Sequence, residues 1–262
     1  MRIPIYQIDA FTDKVFGGNP ACVVPLEDWL PDEILLKIAR ENGVAETAFI
    51  IKTGERILLR WFTPDLEMDL CGHATLAAAY VLKVHLDYES DIIVFDTVSG
   101  ELRVECQADI LTLNFPMREA VTTQLPKEIK EAINIQPELV MKARDYMLVY
   151  PSQDTIENIV INQATFDKIN LGQGGVIVTA KGDNCDFVSR FFTPQATILE
   201  DPVTGSAHCT LIPYWGQKLN KNSMVAKQLS GRNGTLYCRK NEKRVLISGK
   251  ARTYMVGHFW VD

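Results

Sequence analysis

The sequence predicts an α+β protein of two pseudo-symmetric halves, each a curved, barrel-like sheet wrapped around one central buried helix. Three observations carry this prediction. The chain repeats itself at an offset of about 130 residues, close to half of its 262. Both halves are dominated by short segments rich in Val, Ile, Phe and Tyr and bounded by Gly, Pro and Asp, the pattern of strands. Finally, Ala74–Leu82 is apolar on every side, and a helix apolar all round has to be buried all round.

The repeat is visible in three ordered matches. Arg60-Trp61-Phe62-Thr63-Pro64 returns as Arg190-Phe191-Phe192-Thr193-Pro194. Gly72-His73-Ala74 opens the first apolar helical stretch and Gly205-Ser206-Ala207 the second. Ser99-Gly100 is echoed by Ser230-Gly231. One coincidence would be unremarkable, but three in order at nearly one offset read as an internal duplication.

In the first half, strands are expected over Ile5–Ala10, Ala21–Val24, Thr47–Ile51 and Ile57–Phe62. More follow over Ile92–Thr97, Leu102–Cys106 and Leu111–Phe115. An amphipathic helix is expected over Asp32–Glu41, with Ile34, Leu35, Ile38 and Ala39 on one face. The second half repeats the scheme with strands over Tyr146–Tyr150, Gly175–Thr179 and Phe187–Phe192, then a helix over Ala207–Trp215. Its closing strands are Ala226–Leu229, Leu236–Arg239, Val245–Ser248 and Thr253–Phe259. Polar residues and two prolines interrupt the pattern near Pro116–Lys127. The expected domains are therefore 1–118 and 119–262, and the sequence leaves open whether the last strand crosses back to the first half.

Composition narrows the function. The apolar fraction is 47%, the charged fraction 23% and the net charge −6, ordinary values for a soluble globular protein. No basic block points to nucleic acid or an anionic membrane as a partner. No apolar run approaches the ~18–20 residues of a membrane span, and Asp9 comes too early for a signal-peptide core, so a cytoplasmic location is expected. The six cysteines are scattered without a Cys-x-x-Cys pair, which fits free thiols in a reducing compartment. No Gly-x-Gly-x-x-Gly or Walker loop is present, so no nucleotide cofactor is implied. Ser206 lacks the nucleophile elbow of a serine hydrolase.

The strongest local signals are the two helix starts, at Gly72 and at Gly205-Ser206. Glycine there lets a ligand approach free backbone N–H groups, and the helix dipole favours an anion. Either start alone reads as an ordinary cap, whereas the pair leans towards a site that grips a carboxylate. The rigid turns Gly18-Asn19-Pro20 and Glu200-Asp201-Pro202 can aim Asn19 and Asp201 into such a site. Glu46 opens an apolar strand. Read alone it is an exposed edge residue; the alternative is an acid in a partly dry site, suited to carry a proton. Cys71, His73, His208 and Cys209 are ligand types that suit zinc. However, His208 and Cys209 are adjacent in a helix and point ~100° apart, so no metal is expected.

Several segments, in order, resemble the phenazine-biosynthesis PhzF-like family, relatives of diaminopimelate epimerase in fold. They are Gly18-Asn19-Pro20-Ala21, Glu46-Thr47-Ala48-Phe49, Arg60-Trp61-Phe62-Thr63-Pro64, Leu70-Cys71-Gly72-His73-Ala74-Thr75, Glu200-Asp201-Pro202-Val203-Thr204-Gly205-Ser206 and Ile247-Ser248-Gly249-Lys250. The resemblance implies a diaminopimelate epimerase-like fold with an active site in the interdomain cleft. It implies a cofactor-independent isomerase that moves a proton on a small carboxylate-bearing substrate, often as a homodimer. Glu46 would be the acid–base residue, with His73 and Asp201 beside it as catalytic residues. Gly72, Gly205 and Ser206 would hold the substrate carboxylate, with Asn19 also lining the site. The related epimerases place a cysteine at each helix start, whereas this chain has Cys71 at the first and none at the second. Two readings remain beside the isomerase: an amino-acid racemase or epimerase using Cys71, and a non-catalytic small-molecule or protein-binding module on the same scaffold.

Overall fold

The computed structural model describes residues 1–54 and 56–262. Its elements, in chain order, begin with β1 (Arg2–Ala10), β2 (Asn19–Leu26), α1 (Asp32–Asn42), β3 (Glu46–Thr53), β4 (Arg56–Phe62), β5 (Glu67–Met68) and α2 (Gly72–His85). They continue with β6 (Ile92–Thr97), β7 (Gly100–Gln107), β8 (Ile110–Pro116), β9 (Val121–Thr122), α3 (Lys127–Ala132), β10 (Leu139–Lys142), β11 (Tyr146–Val149), α4 (Gln153–Glu157) and α5 (Gln163–Phe166). The chain ends with β12 (Val176–Lys181), β13 (Phe187–Phe192), α6 (His208–Leu219), β14 (Ser223–Gln228), β15 (Gly234–Asn241), β16 (Arg244–Gly249) and β17 (Ala251–Trp260). Contacts gather the chain into two compact units, Met1–Phe115 with Ile247–Asp262, and Pro116–Leu246.

In the first unit the strand order is β17-β1-β2-β3-β4-β6-β7-β8. The pairs β2–β3 and β4–β6 are parallel and the rest antiparallel. Helix α2 packs on β1, β2, β3 and β17. Every residue from Gly72 to Ala79 is buried, which answers the absence of a polar face in this stretch. Ala77, Ala78 and Ala79 keep that helix narrow, so strands approach it closely. Behind the sheet, α1 adds Leu35, Ile38 and Ala39 to a second apolar layer that includes Val24, Phe49 and Phe62.

The second unit has the order β9-β10-β11-β12-β13-β14-β15. Helix α6 packs on β14 and β15. The run β11-β12-β13-β14-β15 alternates parallel and antiparallel pairs in the same sequence as β2-β3-β4-β6-β7. The repeated Arg-x-Phe-Thr-Pro motif does the same work in both units. Arg60 donates to Glu67 through Nε and Nη2, both at 2.7 Å, and Arg190 to Glu200 at 2.7 and 2.9 Å. Each guanidinium also lies over the phenylalanine two residues on, 5.1 Å from Phe62 and 4.9 Å from Phe192. The following threonine closes the turn, Thr63 N–H on the Leu66 carbonyl and Thr193 N–H on that of Leu199.

Proline inside a helix removes a donor and frees the carbonyl four residues back. Pro213 does this in α6, and the backbone N–H of Arg118 takes up the freed Cys209 carbonyl at 3.0 Å.

Three sequence expectations change. The second helix starts at His208 with Ala207 as its cap, so Gly205 and Ser206 occupy the turn before it. Glu46 is not on a sheet edge, because β3 is paired with β2 on one side and β4 on the other. Helices α3, α4 and α5, of six, five and four residues, are too short to show a helical period. Among the described residues no helix is long and apolar enough to cross a membrane.

Two outcomes are expected from this packing. Leu76 is fully buried in α2 and Val84, on the same helix, is 52% exposed. Leu76→Ala should lower the unfolding free energy in urea by ~2–5 kcal/mol and Val84→Ala by less than ~0.5 kcal/mol. The second outcome concerns His208, whose Nδ1–H donates to the Thr204 carbonyl at 2.9 Å. Burial lowers its pKa to about 4, against a small opposing effect of that bond. Between that value and the ordinary ~6.5 the unfolded chain binds more protons, so this stability is present above pH ~6.5 and lost as the pH falls. Urea titrations should show a loss on the order of 2 kcal/mol between pH 6.5 and 5, and His208→Gln should lack that part of the acid loss.

Candidate active site

In the first unit three elements start at one place. β2 and β3 are parallel, with Ala21 opposite Glu46, so their N-terminal ends lie side by side, and α2 begins beside them. Gly18 makes the approach to β2 possible. Its φ is +61°, and a Cβ there would lie 2.0 Å from the Ala10 carbonyl oxygen, so only glycine lets Asn19 pair with Ala10.

His73, the second residue of α2, is buried and meets all of these ends. Its Nε2 lies 3.0 Å from a carboxylate oxygen of Glu46. Its Nδ1 lies 3.0 Å from the Asn19 amide nitrogen and 3.6 Å from the Cys71 sulfur. Burial alone would lower the imidazole's pKa, but the Glu46 carboxylate beside Nε2 outweighs it and holds the pKa well above 6.5. An imidazolium and a carboxylate 3 Å apart are held together by charge. The Glu46 side chain keeps 13% of its surface exposed against 3% for His73, so the carboxylate is the member of the pair that solvent or a small molecule can reach. Asn42, whose amide donates to Thr47 Oγ1 at 3.0 Å, pins the strand start next to Glu46.

Cys71 caps α2 with an extended backbone. Burial, then the Glu46 charge, pushes its thiol up to about 11, so near neutral pH it is protonated and little thiolate is present to act as a base. Glu46, Cys71 and His73 offer ligand atoms within 4.8 Å of one another and have the chemistry of a metal site. The fit is poor: the two imidazole nitrogens already face Glu46 and Asn19, and the thiol would have to give up its proton.

The second unit holds the remaining residues. Asp201 accepts a hydrogen bond on its carboxylate from the Thr204 hydroxyl at 2.5 Å. Its carbonyl accepts from Gln228 Nε2 at 2.8 Å, and the Thr204 N–H donates to Gln228 Oε1 at 2.8 Å. The buried Gln228 thus holds the loop from both ends. Ser206 is 7% exposed, and its hydroxyl oxygen accepts from Arg144 Nη2 at 2.9 Å. The Gly205 carbonyl accepts from His208 N–H at 3.1 Å.

Asn19, Glu46, Gly72 and His73 therefore gather within the first unit, and Asp201, Gly205 and Ser206 within the second. Two supporting residues, Gln228 and Arg144, escaped the sequence reading. Gln228 sits in a strand segment with nothing to set it apart, and the Arg144-Asp145 pair before the strand Tyr146–Val149 carried the only usable signal, two adjacent charges entering an apolar run.

Comparison with known proteins agrees with this fold. The family model for phenazine biosynthesis-like proteins, PhzC-PhzF, matches residues 8–257. The chain is 46% identical over 257 residues to an uncharacterized isomerase of Pseudomonas aeruginosa, covering 98% of each chain. It is similar to the crystal structure of a PhzF-family phenazine biosynthesis protein from Enterococcus faecalis, with 42% identity, a TM-score of 0.93 and 100% of each chain covered. A Pseudomonas aeruginosa protein described as a predicted epimerase, 19% identical with a TM-score of 0.77 over 99% of this chain and 100% of its own, shares the fold. The architecture is the diaminopimelate epimerase-like one, and the chain, an isomerase like the relatives so described, belongs to the phenazine biosynthesis-like PhzC-PhzF family.

Proposed function

We propose that the protein is a cofactor-independent isomerase that moves a proton on a small carboxylate-bearing metabolite, with Glu46 as the acid–base residue. The observation that carries this is the Glu46–His73 pair, a partly reachable carboxylate 3.0 Å from a buried imidazole. Glu46 takes the proton from a carbon made acidic by neighbouring unsaturation or a carbonyl and returns it elsewhere on the molecule. His73 orients the carboxylate while it is charged and follows its change of protonation, and the Asn19 amide packs against the other ring nitrogen. Asp201 binds a polar substituent. Gly72, Gly205 and Ser206 bind the carboxylate, with backbone N–H groups at and before the helix starts. These roles follow the family resemblance residue by residue. No metal takes part.

We further infer that 1–118 and 119–262 are copies of one ancestral half, with the last strand returned to the first. Two matching alternations of strand pairing and two matching arginine clamps support this reading. The protein would act as a cytoplasmic homodimer. Its six free thiols suit a reducing compartment.

Glu46→Gln keeps the shape of the side chain but cannot accept a proton. In deuterium oxide, with an extract of small acids as the substrate source, the wild type should add one mass unit to at least one acid. Glu46→Gln should slow that labelling by ~10²–10⁴-fold; labelling at the wild-type rate would remove Glu46 from the mechanism. The racemase reading rests on Cys71, and its protonated thiol argues against it. Cys71→Ala should keep labelling within about threefold of wild type, since a group protonated at the working pH is a poor general base. A loss as large as that of Glu46→Gln would favour the racemase, or a thiolate-bound metal.

A further inference from the structure

The second unit contains a buried ionic arrangement that the proposed chemistry has not used. Asp145 is fully buried. Its carboxylate accepts from Arg144 Nε at 3.1 Å and Nη2 at 3.2 Å, and from the Gly175 N–H at 3.0 Å. Only glycine allows that last bond, because a Cβ on residue 175 would lie 2.5 Å from the Phe191 ring. With its carboxylate side fixed, Arg144 turns Nη2 onto the Ser206 hydroxyl at 2.9 Å.

Guanidinium has donors and no acceptor. The Ser206 oxygen therefore accepts from Arg144, and its own proton is left to be given elsewhere. A serine held this way is committed as a donor, and the cation behind it makes it a better one. The neighbourhood has the matching sign. Cys209, whose N–H donates to the Ser206 carbonyl at 3.2 Å, is acted on by two guanidinium groups, Arg118 and Arg144, and one carboxylate, Asp145. Arg118 is anchored there by its backbone bond to the Cys209 carbonyl. Nη1 of Arg144 and of Arg118 are both buried without an acceptor among the described residues, a costly state for charged donors that an incoming anion would relieve.

We propose that Arg144 is a positioning residue that holds the Ser206 hydroxyl as a hydrogen-bond donor for the substrate's carboxylate, with Arg118 adding the positive charge that selects an anion. This rests on the carboxylate-binding role given to Ser206 above, and it is independent of the proton transfer assigned to Glu46.

Acetate, titrated at constant ionic strength with chloride as the balancing anion, tests the proposal by NMR of the isotope-labelled full chain. The signals read are the Arg144 Nε–H and the Ser206 amide. Both should shift saturably in the wild type and in Glu46→Gln. Affinity should fall at least tenfold in Arg144→Gln and in Ser206→Ala, and Arg144→Lys, which keeps the charge but loses the fork, should recover only part of it. Thermal unfolding of each variant separates lost binding from lost structure. If Arg144→Gln does not fold, the wild-type titration decides. Arg144 and Ser206 signals that do not move with acetate overturn the proposal, as does undiminished affinity in a folded Arg144→Gln. Tighter binding of phosphate than acetate would overturn the carboxylate assignment. Failure of the Glu46 experiment with saturable acetate binding intact would sink the proton-transfer reading and leave this one standing.

Discussion

Everything in the first unit follows from a helix that has no face to offer water. Gly72–Ala79 is buried at every position, so strands must cover it on more than one side, and β1, β2, β3 and β17 do so. A sheet that bends round a helix brings the ends of its strands to the ends of that helix. The starts of β2 and β3 come to the start of α2 for this reason, and with them Asn19, Glu46 and His73. The cluster is thus a by-product of hydrophobic enclosure: burying the alanine-rich surface of α2 fixes where a carboxylate and an imidazole must meet.

The buried charges of the two units are handled in one manner. Each is paired at short range with an opposite charge and set against a second polar group, which is what keeps desolvation from being prohibitive. His73 is set between Glu46 and Asn19, and Asp145 between Arg144 and the Gly175 N–H. In both cases the less exposed partner orients the more exposed one. The exposed partner, Glu46 or Arg144, is where a change of charge or a new hydrogen bond can be felt.

Much of this was legible in the sequence, for identifiable reasons. The all-apolar helix, the strand segments and the repeated Arg-x-Phe-Thr-Pro turn are local patterns whose physics acts over a few residues. Taken alone, Glu46 reads as an edge residue because strand neighbours are a long-range property: nothing near Glu46 announces that β4 pairs on its far side. Gly205-Ser206 reads as a helix start because Gly205-Ser206-Ala207 forms a turn that resembles helix in composition and differs in its hydrogen bonds, which run from His208 to Gly205 and from Cys209 to Ser206. Gln228 and Arg144 were missed because each works through partners 24 to 62 residues away, a distance over which a single sequence carries no pattern.

The arginine clamps have one further consequence. Arg60 closes on Glu67 and Arg190 on Glu200, seven and ten residues downstream, with the stacked ring supplied from the same strand. Each clamp is thus neutralised by a carboxylate on chain that lies next to it, and reaches further only to Asp32 in the first unit and to the Ile156 and Ile159 carbonyls in the second. A strand and turn built this way behave like a part with its own fastener. The counter-charge of the arginine travels with the strand and turn wherever they are carried. A built-in counter-charge of this kind would keep the motif readable in a sequence even where the residues around it diverge.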